Sequence, residues 1–258
     1  AIQCTDGKFI TESSLYDWKN PWKNRDPRLD LFCVRDNSRT MGVEYSLDVT
    51  KETVKDYHTG STIANSNVVG NKSEYGPNGA QGPGGYLWRK GYDDAFYGAI
   101  TGGSREQTKD AINNGVFRMA ELYLIAAEAR IEAGMELDKA AGYINKVRAR
   151  VNMPDVEGTD QASLRKALRY ERMVELCNEG LRWYDLRRWG IAEKAMNRVF
   201  MAPGQSTAAS PRNFISNARP TIDEDCIVTY SGETWNGEKS NLRKFNTYVY
   251  KVGKDELW

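Results

Sequence analysis

The sequence predicts a mainly α-helical protein whose helices are concentrated in its middle, over residues 113–200. Two observations lead to this prediction. Apolar residues recur there at the spacing of a helix face, and helix stop and start residues separate the periodic segments. The flanking segments contain frequent turn dipeptides, such as Asn20-Pro21 and Gly76-Pro77, and only short strand-like runs. We therefore expect a helical core with long irregular loops and few short strands.

The segment before the helices, residues 1–112, is predicted to be rich in loops. Between Thr59 and Gly85 the sequence is dominated by Gly, Asn and Ser, which indicates an exposed loop. Structureless segments of this length inside a compact domain are usually functional or disordered. We expect this first segment to carry the ligand-facing surface.

The first two predicted helices form a hairpin with a short connection, similar in shape to a tetratricopeptide unit. The first ends near Gly134, a residue type that favours a helix C-terminus. The second starts near Asp138 and ends before Pro154. At about 100° per residue, each has one apolar stripe. The stripes contain Phe117, Ala120, Leu124, Ala127 and Ile131 in the first helix, and Ala140, Ile144, Val147 and Val151 in the second.

A third helix is predicted after Thr159-Asp160, with Gly180 at its end, and a fourth from Trp183 to about Phe200. Residues 201–258 return to an irregular segment that packs on the rest. Within it, the stretch from Phe245 to Val252 is rich in aromatic and β-branched residues, which is typical of a short strand.

Charged residues lie on the same helix faces as the apolar stripes, and these faces are expected to pack against the core. Glutamates continue or border these stripes, at positions 121, 128, 171, 175 and 179. An unpaired buried carboxylate is costly, whereas the planar fork of arginine can bind two carboxylate oxygens at once. We therefore predict a structural ion-pair network. Its predicted members are Arg118, Glu121, Glu128, Arg148, Glu171, Arg172, Glu175, Glu179, Arg182, Asp185 and Arg188.

Several of these residues also form spaced motifs that resemble the RagB/SusD family. An upstream element, Asn24-Arg25-Asp26-Pro27-Arg28, and the stretch from Gly85-Tyr86 to Lys90 resemble two further family motifs. The remaining matches are Arg118, Glu121, Glu128, Asn145, Arg148, Arg150, Glu171, Arg172, Glu175, Leu176, Glu179, Gly180, Arg182, Asp185, Leu186 and Trp189. The N-terminal lipoprotein signal and the closing motifs of such proteins are not found. We therefore expect the chain to correspond to the C-terminal part of a family member, cut at both ends.

The resemblance implies a SusD-like fold and a non-catalytic role at the cell surface. Family members are lipid-anchored in the outer membrane of Bacteroidota. They bind a glycan, or an oligopeptide in some members, and deliver it to a SusC-like TonB-dependent transporter. The resemblance implies no cofactor. The alternative is a helical protein-interaction module without a small-molecule ligand.

The composition and the residue inventory exclude several other functions. A formal charge of +1 argues against nucleic-acid binding. The single histidine, His58, excludes metal sites built on several histidines, and the four cysteines lack the spacing of a metal site. The acidic run from Asp223 to Asp225 lacks the alternating spacing of a calcium loop, so we expect a solvated turn. We predict no metal site and no catalytic residues, because the inward glutamates are surrounded by arginines instead of facing a cleft.

Aromatic residues in the first segment are the candidates for ligand binding. Flat rings stack on the C–H face of a sugar, although the same residues also serve as core anchors. Trp18 has a polar setting beside Asp17, Lys19 and Asn20. We predict that Trp18, Tyr57 and Tyr75 are the stacking rings.

Overall fold

The computed structural model describes residues 2–40, 42–46, 48, 50–57, 59–65, 88–90, 115–197, 200–202, 218–237, 243–245 and 250–252. The mainly helical fold predicted from the sequence is confirmed. In these ranges there are six helices: α1 (Arg28–Phe32), α2 (Met119–Ala133), α3 (Leu137–Ala149), α4 (Gln161–Glu175), α5 (Arg182–Arg188) and α6 (Ala192–Met196). Among them, no helix is long and apolar enough to cross a membrane.

The strands of the described ranges are short and pair only in twos. They are β1 (Ser38–Thr40), β2 (Val43–Tyr45), β3 (Thr53–Lys55), β4 (Thr62–Ala64), β5 (Phe200–Ala202), β6 (Ala218–Ile222), β7 (Val228–Thr234) and β8 (Arg243–Phe245). The antiparallel pairs are β1 with β2, β3 with β4, β5 with β8 and β6 with β7. The strand β4 lies inside the segment predicted as one long loop from Thr59. The rest of that segment, residues 66–85, lies outside the described residues.

The chain divides into two compact units. Unit 1 contains Ala1–Leu29, Gly115–Ala202 and Ile215–Trp258, and unit 2 contains Asp30–Asn114 and Pro203–Phe214. All helices from α2 to α6 belong to unit 1, together with β6 and β7. The pairs β1–β2 and β3–β4 belong to unit 2. Unit 1 is therefore built from parts of the chain that are distant in sequence.

The main core of unit 1 lies between α2, α3 and α4. Its buried residues, which in α2 and α3 come from the predicted apolar stripes, are Leu124, Ala127, Ile131, Ala140, Ile144, Val147, Leu164, Leu168 and Leu176. The helix α2 ends where Gly134 takes a left-handed conformation, with φ of 65°, which glycine adopts without a Cβ penalty. The predicted hairpin therefore forms. Phe117 is an exception, because α2 begins only at Met119 and leaves the Phe117 side chain 71% exposed.

The helix α4 starts as predicted but ends earlier. The Asp160 carboxylate accepts hydrogen bonds from the backbone N–H groups of Ala162 and Ser163, which caps the N-terminus. The helix ends at Glu175 and not at Gly180. Asn178 adopts a left-handed conformation with φ of 60°, which an α-helix cannot contain. Glu179 therefore follows the helix in a turn.

The prediction of a single fourth helix from Trp183 to Phe200 is wrong. Gly190, with φ of 69°, separates α5 from α6. Both short helices pack on a second core formed by Leu186, Ala192, Ala195, Ile227 and Tyr250. The predicted strand over residues 245–252 is described only in part. Phe245 is the last residue of β8, and residues 246–249 lie outside the described ranges.

Candidate functional site

The ion-pair network of unit 1 is centred on Arg28, whose side chain is fully buried. Arg28 Nη2 lies 2.7 Å from Asp26 Oδ2, and its Nη1 donates to Glu171 and, over 3.1 Å, to Glu175 Oε2. All three carboxylate side chains are fully buried as well. Asp26 also accepts a hydrogen bond of 3.2 Å from the buried hydroxyl of Tyr170. The segment before α1 is thereby tied to α4.

Three more arginines complete the balance of charge. Arg118 Nη1 lies 2.6 Å from Glu175 Oε1 and its Nη2 lies 2.7 Å from Glu179 Oε1. Arg150 Nη2 lies 2.6 Å from Glu175 Oε1, and Arg148 Nη1 lies 3.2 Å from Glu171 Oε2. Together with Asp26 and Arg28, these residues have four positive and four negative charges. We call them the central network: Asp26, Arg28, Arg118, Arg148, Arg150, Glu171, Glu175 and Glu179.

The central network favours the ionised form of the Glu175 carboxylate. Burial raises the pKa of Glu175, but the hydrogen bond from Arg118 and the charges of Arg118, Arg150 and Arg28 outweigh burial. The pKa of Glu175 therefore lies below its ordinary value. A buried carboxylate held by three guanidinium groups has neither the accessibility nor the raised pKa of a general acid. We infer that its role is structural.

A second cluster lies where α5 meets α2 and α4. Arg172 binds both oxygens of Asp185 at 2.9 Å. Arg188 binds Asp185 Oδ1 at 2.8 Å and also donates to the carboxylate of Glu128. Trp189 Nε1 donates to Glu128 Oε1 over 2.7 Å. We call Glu128, Arg172, Asp185 and Arg188 the Asp185 network, in which two positive charges match two negative ones.

The structure places most of the predicted ion-pair residues in these two networks, with two differences. Glu121 is only half-buried, and within the described part of the chain no arginine lies at ion-pair distance from it. The guanidinium of Arg182 lies 5.7 Å from the centre of the Trp189 ring. Asp26, Arg28 and Arg150 were not predicted as members. The motif Asn24–Arg28 was recognised, but periodicity within a helix cannot show that its side chains reach α4.

The acidic run after β6 forms a turn as predicted, but of its three acids only Glu224 is exposed. Asp225 is buried, and Lys194 Nζ lies 2.9 Å from Asp223, 3.1 Å from Glu224 and 2.8 Å from Asp225. Asp225 also accepts from Arg169. The three carboxylates converge as ligands of a cation would. The ammonium group already lies among them, and Lys194 and Arg169 together balance two of the three negative charges.

A candidate ligand-binding surface lies elsewhere in unit 1. The half-buried rings of Tyr16 and Trp235 contact each other, with centroids 5.1 Å apart and planes tilted by 49°. The guanidinium of Arg25 lies 5.4 Å from the Tyr16 ring centre, and that of Arg219 lies 5.4 Å from the Trp235 ring centre. We call these four residues the aromatic–arginine array. Tyr16 and Trp235 are distant in sequence, so local pattern gave no sign of this pairing.

The structure describes two of the three predicted stacking residues, and these two belong to different units. Trp18 is half-buried in unit 1, with Lys19 Nζ 5.5 Å from its ring centre. Tyr57 belongs to unit 2 and is 39% exposed, with Lys55 Nζ 5.1 Å and Arg39 5.6 Å from its ring centre. Tyr75 lies outside the described residues. Trp18 lies two positions after Tyr16, which places it beside the aromatic–arginine array in sequence.

Comparison with known proteins identifies a family relationship over most of the chain. Residues 3–224 match the model of the SusD family. A SusD-like protein of Formosa agariphila is 46% identical over 83 residues, which cover 31% of this chain and 16% of the relative. A second SusD-like protein of the same organism is 36% identical over 91 residues, which cover 32% of this chain and 17% of that relative.

Solved structures show the same fold. The crystal structure of a SusD-like carbohydrate binding protein from Bacteroides fragilis matches with a TM-score of 0.56 and 26% identity. The match covers 94% of this chain and 42% of that protein. A second SusD-like protein from Bacteroides fragilis matches with a TM-score of 0.56 and 21% identity, over 95% of this chain and 40% of that one. The chain therefore spans less than half the length of the structures it matches.

Proposed function

Because the chain belongs to the SusD family, we propose that it is part of a non-catalytic glycan-binding protein that supplies an outer-membrane transporter. The family relationship supports a role in carbohydrate uptake. The matched protein from Bacteroides fragilis is described as carbohydrate binding. The proposed partner is a SusC-like TonB-dependent transporter. The proposed location is the cell surface, with attachment through a lipid anchor on the full-length protein.

The single observation that carries the glycan proposal is the aromatic–arginine array. Tyr16 and Trp235 are half-buried, so their rings are held in place and still partly accessible. An aromatic face packs on the C–H groups of a sugar ring, and the polar edges of neighbouring groups bond its hydroxyls. The array lies on a scaffold whose internal charges are paired by the central network. A rigid scaffold with accessible rings in its loops is the arrangement expected for binding.

A non-catalytic role is consistent with the carboxylates of unit 1. In the part of the chain that the structure describes, the buried glutamates of the central network accept hydrogen bonds from arginines. A glycosidase needs two carboxylates on either side of a bound sugar, one of them with a raised pKa. The pKa of Glu175 is instead lowered.

A glycan panel tests this proposal directly. The chain is screened against neutral and acidic polysaccharides by affinity electrophoresis, and hits are measured by calorimetry. Trp235→Ala should weaken binding by about tenfold, since a lost stacked ring costs about 1–1.5 kcal/mol. Tyr184→Ala is the matched control, because Tyr184 is 61% exposed on α5 and lies outside the array. Absence of binding to every glycan would contradict the proposal.

One observation favours a second candidate, a protein-docking face on α2. Met119, Leu122 and Ile125 are 57%, 44% and 48% exposed, and their spacing places them on one side of the helix. Exposed apolar side chains grouped on one face are typical of interaction surfaces. Leu122→Glu would abolish such docking without affecting glycan binding. The variants Trp235→Ala and Leu122→Glu therefore distinguish glycan binding from protein docking.

A further inference from the structure

The aromatic–arginine array has a cation at each end. Arg25 lies over Tyr16, Tyr16 contacts Trp235, and Arg219 lies over Trp235, with successive separations of 5.4, 5.1 and 5.4 Å. The contacts run from a guanidinium through two rings to a second guanidinium. A guanidinium held against an aromatic ring keeps its N–H groups available to ligands at its edge. The array therefore presents hydrogen-bond donors beside two rings.

The two arginines differ in how many of their donors are used. Arg25 donates from Nε, Nη1 and Nη2 to the backbone carbonyls of Gln3, Pro21 and Ile2. These bonds fix Arg25 in place, and no carboxylate among the described residues forms an ion pair with it. Arg219 is exposed, and its guanidinium lies 5.4 Å from the centre of the Trp235 ring. A guanidinium has five N–H donors, and among the described residues none of those of Arg219 is engaged in a hydrogen bond or an ion pair.

The backbone gives Arg219 a distinct position. It lies where the register of β6 and β7 shifts, between the pairs Ala218–Thr234 and Pro220–Tyr230. An irregularity of this kind redirects a side chain, and such bulges are common beside functional sites. Trp235 directly follows Thr234. The bulge thus explains how a strand residue and the residue after the neighbouring strand come to stack.

The acidic residues nearest in sequence, Asp26 beside Arg25 and Asp223 after Arg219, are paired with Arg28 and Lys194 instead. Asp17 accepts hydrogen bonds from the side chain of Asn20 and the backbone N–H of Lys19. Glu233 is exposed on β7. Neither forms an ion pair with Arg25 or Arg219 in the described residues. Elsewhere in unit 1, in contrast, the arginines of the central network are balanced one for one by carboxylates.

We propose that the array is a subsite for an anionic sugar, with the Trp235 ring stacking on the pyranose and Arg219 binding its carboxylate or sulfate group. A planar fork suits both oxyanions, since each offers two oxygens to parallel N–H donors. Tyr16 contacts the Trp235 ring, and Arg25 in turn packs on Tyr16. This inference rests on the proposed glycan-binding function and narrows its ligand to uronic-acid or sulfated polysaccharides.

Matched polymers test the charge requirement. Polygalacturonate is compared with highly methyl-esterified pectin, which has the same backbone without most of the charge, and dextran sulfate is compared with dextran. We expect at least one anionic polymer to bind about tenfold or more tightly than its neutral counterpart, with an affinity that falls as salt increases. Whether polygalacturonate or dextran sulfate binds more tightly then distinguishes a carboxylate ligand from a sulfate ligand.

Variants of Arg219 link the preference to the array. Arg219→Gln should remove the preference, while Arg219→Lys should retain part of it, because lysine keeps the charge but loses the fork. Arg165→Gln is the control, since it removes the same charge from an exposed pair with Glu132 on another surface. Equal loss in the Arg165 variant would show a nonspecific charge effect and overturn the proposal.

The remaining outcomes separate this inference from the function on which it rests. Tight binding of neutral glycans only, unchanged by Arg219→Gln, would overturn the anionic subsite and leave the glycan-binding function standing. Binding of no polymer at all would contradict both. Loss of the preference in Arg219→Gln with an unchanged melting temperature would support both.

Discussion

Arg28 donates from Nη1 to Glu175 Oε2 over 3.1 Å, although the two residues are 147 positions apart and both side chains are fully buried. The same nitrogen also donates to Glu171 on the preceding turn of α4. One guanidinium therefore satisfies carboxylates on successive turns of a helix. Glutamates at this spacing would otherwise repel each other. The Arg28 side chain converts an unfavourable run of like charges into the attachment point of the N-terminal segment.

Removal of one partner from this buried group should be strongly destabilising. Glu175→Ala leaves Arg28 and Arg118 each without one of their acceptors and removes the carboxylate that pairs with Arg150. The expected loss is about 3–5 kcal/mol in the free energy of unfolding, measured by urea denaturation. Glu132→Ala, which breaks the exposed pair with Arg165, should cost at most about 1 kcal/mol. Similar losses in the two variants would contradict a structural role for the central network.

Stability should decrease in acid, starting near the ordinary carboxyl pKa values of 4.5 for Glu and 3.8 for Asp. The pKa of Glu175 is lowered because Arg118, Arg150 and Arg28 outweigh the effect of burial, and that of Asp223 is lowered because Lys194 does so. A lowered pKa contributes stability above the unfolded value, and this contribution is lost as pH falls through the folded value. Melting temperatures between pH 7 and pH 3 measure this loss.

A neutral substitution provides the control for the acid experiment. Glu175→Gln has no charge to lose at this position, so its melting temperature should start lower and depend less steeply on pH below about 4.5. A melting temperature of the parent that is constant down to pH 3 would show that the buried carboxylates do not set the acid limit.

Divalent cations should not change the stability of the parent protein. Lys194 Nζ lies within 3.1 Å of the carboxylates of Asp223, Glu224 and Asp225, where a metal ion would otherwise bind. We expect equal melting temperatures in EDTA and in millimolar calcium. Lys194→Met removes the ammonium group, and calcium should then raise the melting temperature of the variant. A clear loss of stability of the parent in EDTA would instead indicate a metal site.

Two buried thiols should resist alkylation in the native state. Burial raises the pKa of Cys226 to about 11 and also raises the pKa of Cys4. Since the thiolate is the reactive form, both should react slowly with iodoacetamide at pH 8. Peptide mapping after short exposure measures the labelling of each site. Cys33, which is half-buried, should react faster, and all four cysteines should react in urea. Rapid labelling of native Cys226 would contradict its burial.

The helices and their inward charges could be predicted because both depend on local spacing. The stop at Gly134, the cap at Asp160 and the apolar stripes of α2 and α3 depend on residues within a few turns of each other. The end of α4 was missed because the backbone leaves the helical conformation at Leu176 and becomes left-handed at Asn178, before the glycine at 180. Asparagine is ambiguous in sequence, since it occurs both inside helices and in left-handed positions.

The contacts of the candidate site that join residues distant in sequence could not be predicted from the sequence. Aromatic residues in the first segment were the predicted candidates, but the contact of Tyr16 with Trp235 depends on the β6–β7 hairpin. Arg219 has no neighbour in sequence that indicates a role. Its position follows from a bulge, and bulges are set by the pairing of two strands. The prediction of Trp18, Tyr57 and Tyr75 as stacking residues stays a prediction.

Glu175 accepts one hydrogen bond from Arg28, just before the chain leaves unit 1 at Leu29, and another from Arg118, just after it returns at Gly115. A single carboxylate thus closes the base of the intervening insertion. The entropy of closing a loop grows slowly, by about 0.6 kcal/mol for each doubling of its length. The length of the insertion can therefore change with little effect on the free energy of unfolding. The residues that anchor its two ends can stay paired whatever the length of the insertion.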